Sequence, residues 1–329
     1  MARNALIAAT GMAVPDRVVP NAYFNELLGE DVDTWLRENL TIRERRWCRD
    51  DESTADLVER AARRILERAG APPDTVDLLV VATDTPEYIS PSTAAVVQHR
   101  LGATNAGTFD VNTACAGFVT ALDLGAKYII ADPRYRRVLV IGAYAMSKYL
   151  DLTDKKTCNL FADGAAGVLL EPTTENRGWI AARLYTEGQY ADWMGIYGGG
   201  TAMPATPDVL RRGDHKLRFV KKFPSELNPK TWSRIVLETV ADAHCTASDI
   251  DQIFFTQINI KSIHETLDRL GLPRSKTHCV MDRYAYTGSA CIPMALAEAD
   301  EQGKLQQGDL VVFMGSGGGL AFACCAFRW

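Results

Sequence analysis

An α/β fold in two similar halves is what the sequence predicts. Three observations lead there: segments recurring in the same order in both halves, strand candidates apolar throughout, and amphipathic helix candidates between them. "PPDTVDLLVVATDTP" (72–86) is matched by "TASDIDQIFFTQIN" (246–259), each with an acidic turn and an apolar strand ending in a polar loop. "TACAGFVTAL" (113–122) lies over "TGSACIPMAL" (287–296), and "RRVLVIGAYA" (136–145) over "GDLVVFMGSG" (308–317). Each half then reads strand, helix, strand, helix, strand, divided as 1–172 and 173–329. Continuously apolar strands such as "DLLVVAT" and "RVLVIGA" are buried on both faces, which predicts parallel pairing with right-handed crossovers.

Along the chain, "NALIAATGMA" reads as a first strand. Its apolar run is broken by Thr10 and Gly11, and one Arg is a thin basic start for a secretory leader. Leu57, Val58, Ala61, Ala62, Ile65, Leu66 and Ala69 recur at helical spacing before the strand at 78–82. After "TFDVN" a helix begins near 114–117, with Phe118, Ala121, Leu122 and Gly125 as its buried stripe. The least regular stretch, 172–230, is expected to supply loops around a pocket. Trp232, Ile235, Val236 and Val240 mark the helix of the second half, and "LAFACCAFRW" closes the chain as a packed strand.

The bulk numbers exclude several classes. The 329 residues carry a net charge of -5, so no basic surface for nucleic acid is present. No apolar run approaches the roughly 20 residues of a membrane span. Eight cysteines without framework spacing suggest free thiols in a reducing cytoplasm. His244-Cys245 and His278-Cys279 lack zinc-site spacing, so no metal is expected.

Cys115 is the candidate nucleophile. It stands at a strand-to-helix corner, where the helix dipole and free N–H groups favour a thiolate and an oxyanion. A small buried thiol that only packs would read the same locally. The second half carries Ser289 at the matching position, so one half alone bears the thiol. The glycine loop "GSGGGL" (315–320) has Leu320 where a dinucleotide fingerprint needs glycine, so close approach to Cys115 or a ligand suits it better.

These residues resemble the β-ketoacyl-acyl-carrier-protein synthase III family of the thiolase fold over essentially the whole chain. The likeness rests on "WLRENLTIRERRW" (35–47), "NTACAGF" (112–118), "FADGAAGVLL" (161–170), "TQIN", "TGSACIPMALAEA" (287–299) and "GSGGGLAF" (315–322). It implies a five-layered αβαβα fold, a homodimer, no cofactor, and an acyl group carried on Cys115 from an acyl-CoA or acyl-carrier-protein thioester. By the same likeness the Cys115 and Gly318 N–H groups form the oxyanion hole. Trp35, Asn259, Lys155 and Lys261 fall where the donor's pantetheine and nucleotide are held. Ser90 falls near where a residue of a second subunit lines the acyl pocket.

Two departures from the family pattern bear on function. The family His of a His-Gln-Ala-Asn segment is Thr256, and the family Asn after "RYG" is Tyr286 in "RYAYTGSA". These two positions donate hydrogen bonds as malonyl loses carbon dioxide, and each lost oxyanion donor costs about 100- to 1000-fold. His264 is one candidate substitute for the lost imidazole. The donor site also changes: the family Arg-Thr pair reads Asn39-Leu40, and two expected Arg are Lys155 and Lys261. "RRGDHKLRFVKK" (211–222) could offer an acidic carrier protein a basic patch.

Three readings follow. The first is an acyltransferase of specialised, polyketide-type metabolism that passes the acyl group from Cys115 to a small-molecule hydroxyl, amine or acidic carbon. The second is a decarboxylative carbon–carbon condensing enzyme. The third is a non-catalytic subunit of a heterodimeric synthase.

Overall fold

The computed structural model describes residues 3–329. In chain order the first part runs β1 (Asn4–Ala13), β2 (Val18–Pro20), α1 (Asn21–Leu28), α2 (Asp33–Leu40), β3 (Glu44–Arg46), α3 (Thr54–Ala69), β4 (Leu78–Ala82), α4 (Thr93–Leu101), β5 (Gly107–Val111), α5 (Gly117–Ala131), β6 (Val138–Ala145) and β7 (Asp163–Thr173). There follow β8 (Gly178–Thr186), β9 (Met194–Gly195), α6 (Pro207–Arg211), β10 (Arg218–Phe219), α7 (Leu227–Asp242), β11 (Gln252–Phe255), α8 (Ile260–Leu270), α9 (Met281–Tyr284), α10 (Cys291–Glu301), β12 (Leu310–Gly317) and β13 (Ala321–Arg328).

Two sheets carry the architecture, ordered β1-β7-β6-β4-β5 and β11-β12-β13-β8. Helices α5 and α10 lie between them, α3 and α4 cover the outer face of the first, and α7 with α8 alongside covers the second. The result is the five-layered αβαβα thiolase-type fold. Alternate residues of the buried strands serve different layers: Leu78, Val80, Val138 and Val140 join the central core, while Leu79, Val81, Leu139 and Ile141 join the core under α3. The α3 stripe is buried as its spacing predicts, and Ser53 with Asp56 closes a capping box at its start.

Four expectations are corrected. Only β4–β5, β4–β6 and β11–β12 are parallel; β7 and β13 return antiparallel beside β6 and β12. A tight turn at 318–320 leaves β13 no crossover and forces that direction. The second half has no counterpart of β5. There the Gln257 side chain bonds the His278 carbonyl (3.0 Å) and the Val280 N–H (2.9 Å), replacing a strand ladder with one amide. The stretch 172–230 contains a sheet strand, β8, which was illegible because its second half is exposed and shows no alternation of inward and outward residues. Lastly, Ala114–Ala131 is long and apolar enough to cross a membrane, with mean hydropathy 1.4, yet it is mostly buried as the central helix α5.

Candidate active site

Cys115 sits on a corner that the local sequence builds. Beyond β5 the Asn112 side chain accepts from the Ala114 N–H (3.0 Å), and Ala114 takes φ 46°, a strained value for a residue with a Cβ. Ala116 N–H then bonds Thr113 C=O (3.2 Å), Gly117 N–H bonds Ala114 C=O (2.9 Å), and α5 starts. The end of β12 presses on this corner. A Cβ on Gly317 would overlap the Cys115 nitrogen and lie 2.6 Å from the Thr113 carbonyl oxygen. The glycine loop therefore serves close approach to Cys115.

The electrostatics reverse one expectation. Cys115 is 2% exposed, and burial pushes its thiol well above the ordinary range; the nearby Asp84 carboxylate pushes it further. A hydrogen bond from the Tyr286 hydroxyl acts the other way but does not win. Desolvation is the largest effect on the thiol and outweighs the hydrogen bonds that favour the thiolate. At rest the group is a thiol, and its proton needs an acceptor.

Tyr286 is wedged beside that thiol. It bridges to Phe161 in the backbone, and its ring centroid lies 5.5 Å from Phe161 and 6.4 Å from Tyr144. The preceding Ala285 adopts φ 49°, ψ -137°, a region that glycine tolerates and alanine does not. Ala285→Gly is expected to raise stability by about 1 kcal/mol, read as a higher urea midpoint with an unchanged slope; a lower midpoint would show that the strain is absent.

Thr256 is present but occupied. Its hydroxyl donates to the Ser316 carbonyl (3.2 Å) and accepts from the Ser316 N–H (2.8 Å), tying the end of β11 to β12. It has no proton left for a substrate oxygen. His264 lies on α8 and faces Arg274 and Asp268 rather than Cys115, so it does not replace the imidazole. Ser289, the counterpart of Cys115, donates to the Ala143 carbonyl (2.7 Å) as a structural bond.

The proposed donor residues gather on a separate rim. Lys261 on α8 donates to the Asn39 side chain on α2 (2.7 Å), Lys155 pairs with Glu30 (3.1 Å), and Trp35, between Glu30 and Asn39 in sequence, is 53% exposed. Asn259 caps α8 by accepting from the Lys261 N–H (3.0 Å). Sequence reasoning missed Arg37 on α2 and Arg43 just beyond it, which line a neighbouring cleft of about 500 Å³ together with Glu38 and Asp282. The basic stretch 211–222 is muted, since Arg212 and Arg218 pair with Asp214, and Lys221 with Asp192. Ser90 lies on an exposed loop beside Tyr88 (53% exposed) and Ile89 (87% exposed).

Sequence reasoning also missed Asp84. It lines a cavity of about 240 Å³ together with Ala114, Met194 and Gly318, at the C-terminal ends of β4 and β5. The available signal was a charged residue just past a wholly apolar strand, the edge where open α/β sheets take ligands.

Comparison with known proteins agrees with this fold. The family models for 3-oxoacyl-[acyl-carrier-protein] synthase III match residues 109–188 and, for its C-terminal part, 240–329. A beta-ketoacyl-[acyl-carrier-protein] synthase III of Symbiobacterium thermophilum is 36% identical over 98% of this chain and 97% of its own. The crystal structure of the Aquifex aeolicus synthase III superposes with a TM-score of 0.89 at 29% identity, covering 99% of this chain and 100% of that one. The priming β-ketosynthase of the R1128 polyketide pathway gives 0.88 at 27% identity, covering 99% and 96%. Enzymes of this kind work on acyl thioesters and need no cofactor. Matched end to end in sequence and in fold, the chain belongs to the 3-oxoacyl-[acyl-carrier-protein] synthase III family, on the scaffold of acyl-transferring condensing enzymes.

Proposed function

We propose that this protein is a thioester-dependent acyltransferase in which Cys115 takes an acyl group from an acyl-CoA or acyl-carrier protein and passes it to a small-molecule hydroxyl, amine or acidic carbon. One observation carries the reading: the two positions that serve decarboxylation in the family are committed elsewhere. The Thr256 hydroxyl is held by Ser316, and the Tyr286 hydroxyl faces the Cys115 sulfur. Acylation needs less, namely the thiol, Tyr286 as a donor to the developing thiolate, and the Cys115 and Gly318 N–H groups as an oxyanion hole.

The donor rim of Trp35, Asn259, Lys155 and Lys261, with the two Lys as cations, supports a phosphate-bearing pantetheine donor. The exposed pair Tyr88 and Ile89 beside Ser90 supports a homodimer in which this loop enters the partner's acyl pocket. Likeness to a polyketide priming synthase supports a place in specialised metabolism. Eight free thiols fit a reducing cytoplasm.

The test mixes the protein with acyl-CoA, acyl-carrier-protein and malonyl-carrier-protein thioesters, reading intact mass and carbon dioxide together. An acyl-enzyme without carbon dioxide release supports acyl transfer. Carbon dioxide release with a longer acyl product would make it a condensing enzyme. No adduct from any donor would leave the non-catalytic subunit.

A further inference from the structure

A second polar group, Asp84, lies close enough to Cys115 to act on its thiol and lines a cavity with the adjacent Ala114, and nothing in the fold uses it. The Asp84 Oδ1 atom is sealed from solvent and has no hydrogen-bond partner among the described residues. No Lys, Arg or His lines the cavity, whose walls around Asp84 include Ala114, Met146, Ile196 and Leu217. The Tyr144 hydroxyl is likewise buried and without a partner, and Asp84 and Cys115 both hold it in its neutral form. Two unsatisfied polar atoms around one nucleophile describe a place where a substrate supplies the missing partner.

The backbone brings Asp84 to Cys115. Thr83 N–H bonds the Val111 carbonyl (3.1 Å), tying the end of β4 to the end of β5, and β5 leads through Asn112 and Ala114 into the nucleophile corner. Asp84, Asn112 and Ala114 form one continuous wall of the cavity.

We propose that Asp84 is the catalytic proton carrier of both half-reactions, serving an acceptor that presents an N–H or O–H group. The inference rests on the acyl-transfer reading. In the first step the Asp84 carboxylate takes the Cys115 proton as Sγ bonds to the thioester carbonyl carbon. The bond from that carbon to the donor sulfur breaks, and Asp84 returns the proton to the leaving thiolate. In the second step the acceptor nitrogen or oxygen bonds to the acyl carbon while Asp84 takes its proton. The bond to Sγ breaks, and Cys115 recovers its proton from Asp84. The cavity thus holds one negative charge at a time, on Asp84 at rest and on sulfur after transfer, where the Tyr286 hydroxyl meets it.

The electrostatics fit this use. Burial lifts the Asp84 carboxyl from 3.8 to about 6, close to working pH, where a general base is most effective. The groups facing it are Cys115 at the corner, Tyr144 from β6, Tyr149 from the turn after β6 and Tyr197 across the cavity, and all are neutral near pH 7. The raised value also fixes a sign for stability. The folded protein holds this proton more tightly than the unfolded chain, so stability falls as pH rises from 3.8 to about 6 and stays reduced above. A carboxylate kept at that cost is retained for chemistry.

The experiment compares wild type with Asp84→Asn. Each is mixed with acetyl, hexanoyl and benzoyl thioesters of coenzyme A and of an acyl-carrier protein, followed by intact mass, and chased with n-butylamine and n-butanol. Wild-type loading is expected to fall away below pH about 6. Asp84→Asn is expected to load and discharge at least about 100-fold more slowly, with that acid limb gone and a higher melting temperature at neutral pH. Equal rates in the variant, or a wild-type profile without an acid limb, overturn the inference; the second readout needs no variant. A wild type that takes no acyl group from any donor overturns the acyltransferase reading, and this inference with it.

Discussion

Cys115→Ala is expected to take up no acyl group from any thioester that labels the wild type, a loss of about 1000-fold or more in loading rate. The reasoning is local. Cys115 is the one thiol on the strained corner, and Ala114, its neighbour in the chain, lines the cavity with Gly318. The substitution removes a single sulfur from a site that is 2% exposed, so the fold is expected to survive with a loss near 1 kcal/mol. Intact mass gives the loading, and circular dichroism with a melt gives the fold. An adduct that persists on the folded variant would move the acyl group elsewhere. Cys291 is the nearest alternative in kind. It is buried at the start of α10, where its sulfur accepts from the Gln257 N–H at 3.4 Å, and it lies off the strained corner.

Gly317→Ala is expected to slow loading by about 100-fold while leaving the thiol itself in place. The added Cβ would overlap the Cys115 nitrogen, and it would stand 2.6 Å from the Thr113 oxygen and 2.9 Å from the Ala114 Cβ. Two of those neighbours are backbone atoms of the nucleophile corner, so relief requires that the corner shift. A displacement near 1 Å costs about 100-fold in rate when the reacting geometry is preset, and overpacking of this kind destabilises by about 1–3 kcal/mol. A stopped-flow or quenched loading assay beside a urea melt separates the two effects. Wild-type loading in the folded variant would show that the glycine loop does not position Cys115.

Much of the framework was legible before any coordinates. The α3 stripe reads correctly because one face meets a continuous core, so period and burial coincide. The duplication reads correctly because β4 and β11, α5 and α10, and β6 and β12 each repeat as segments. Strand β8 did not read, because its second half, Arg183–Thr186, is exposed and has no inward-outward alternation to mark it. The missing partner of β5 did not read either, since Gln257 satisfies that edge with a side chain whose reach no local pattern announces. In the site, Cys115, Tyr286 and Thr256 were found by motif. Their states were not: Thr256 is held by Ser316 across 60 positions of sequence, and the Cys115 thiol is governed by burial and by Asp84.

By itself the sequence determined the α/β class, the duplicated fold, the tight corner at Cys115 and the family. Each of these is written in short-range pattern: apolar runs, helical spacing, and residues that must be small where backbones meet. Tertiary structure alone decided that the Cys115 thiol rests protonated, that Thr256 has no free hydroxyl, and that an unpaired carboxylate oxygen of Asp84 lies near Cys115. Those properties depend on dielectric surroundings and on partners distant in the chain, and neither exists until the sheets close around α5.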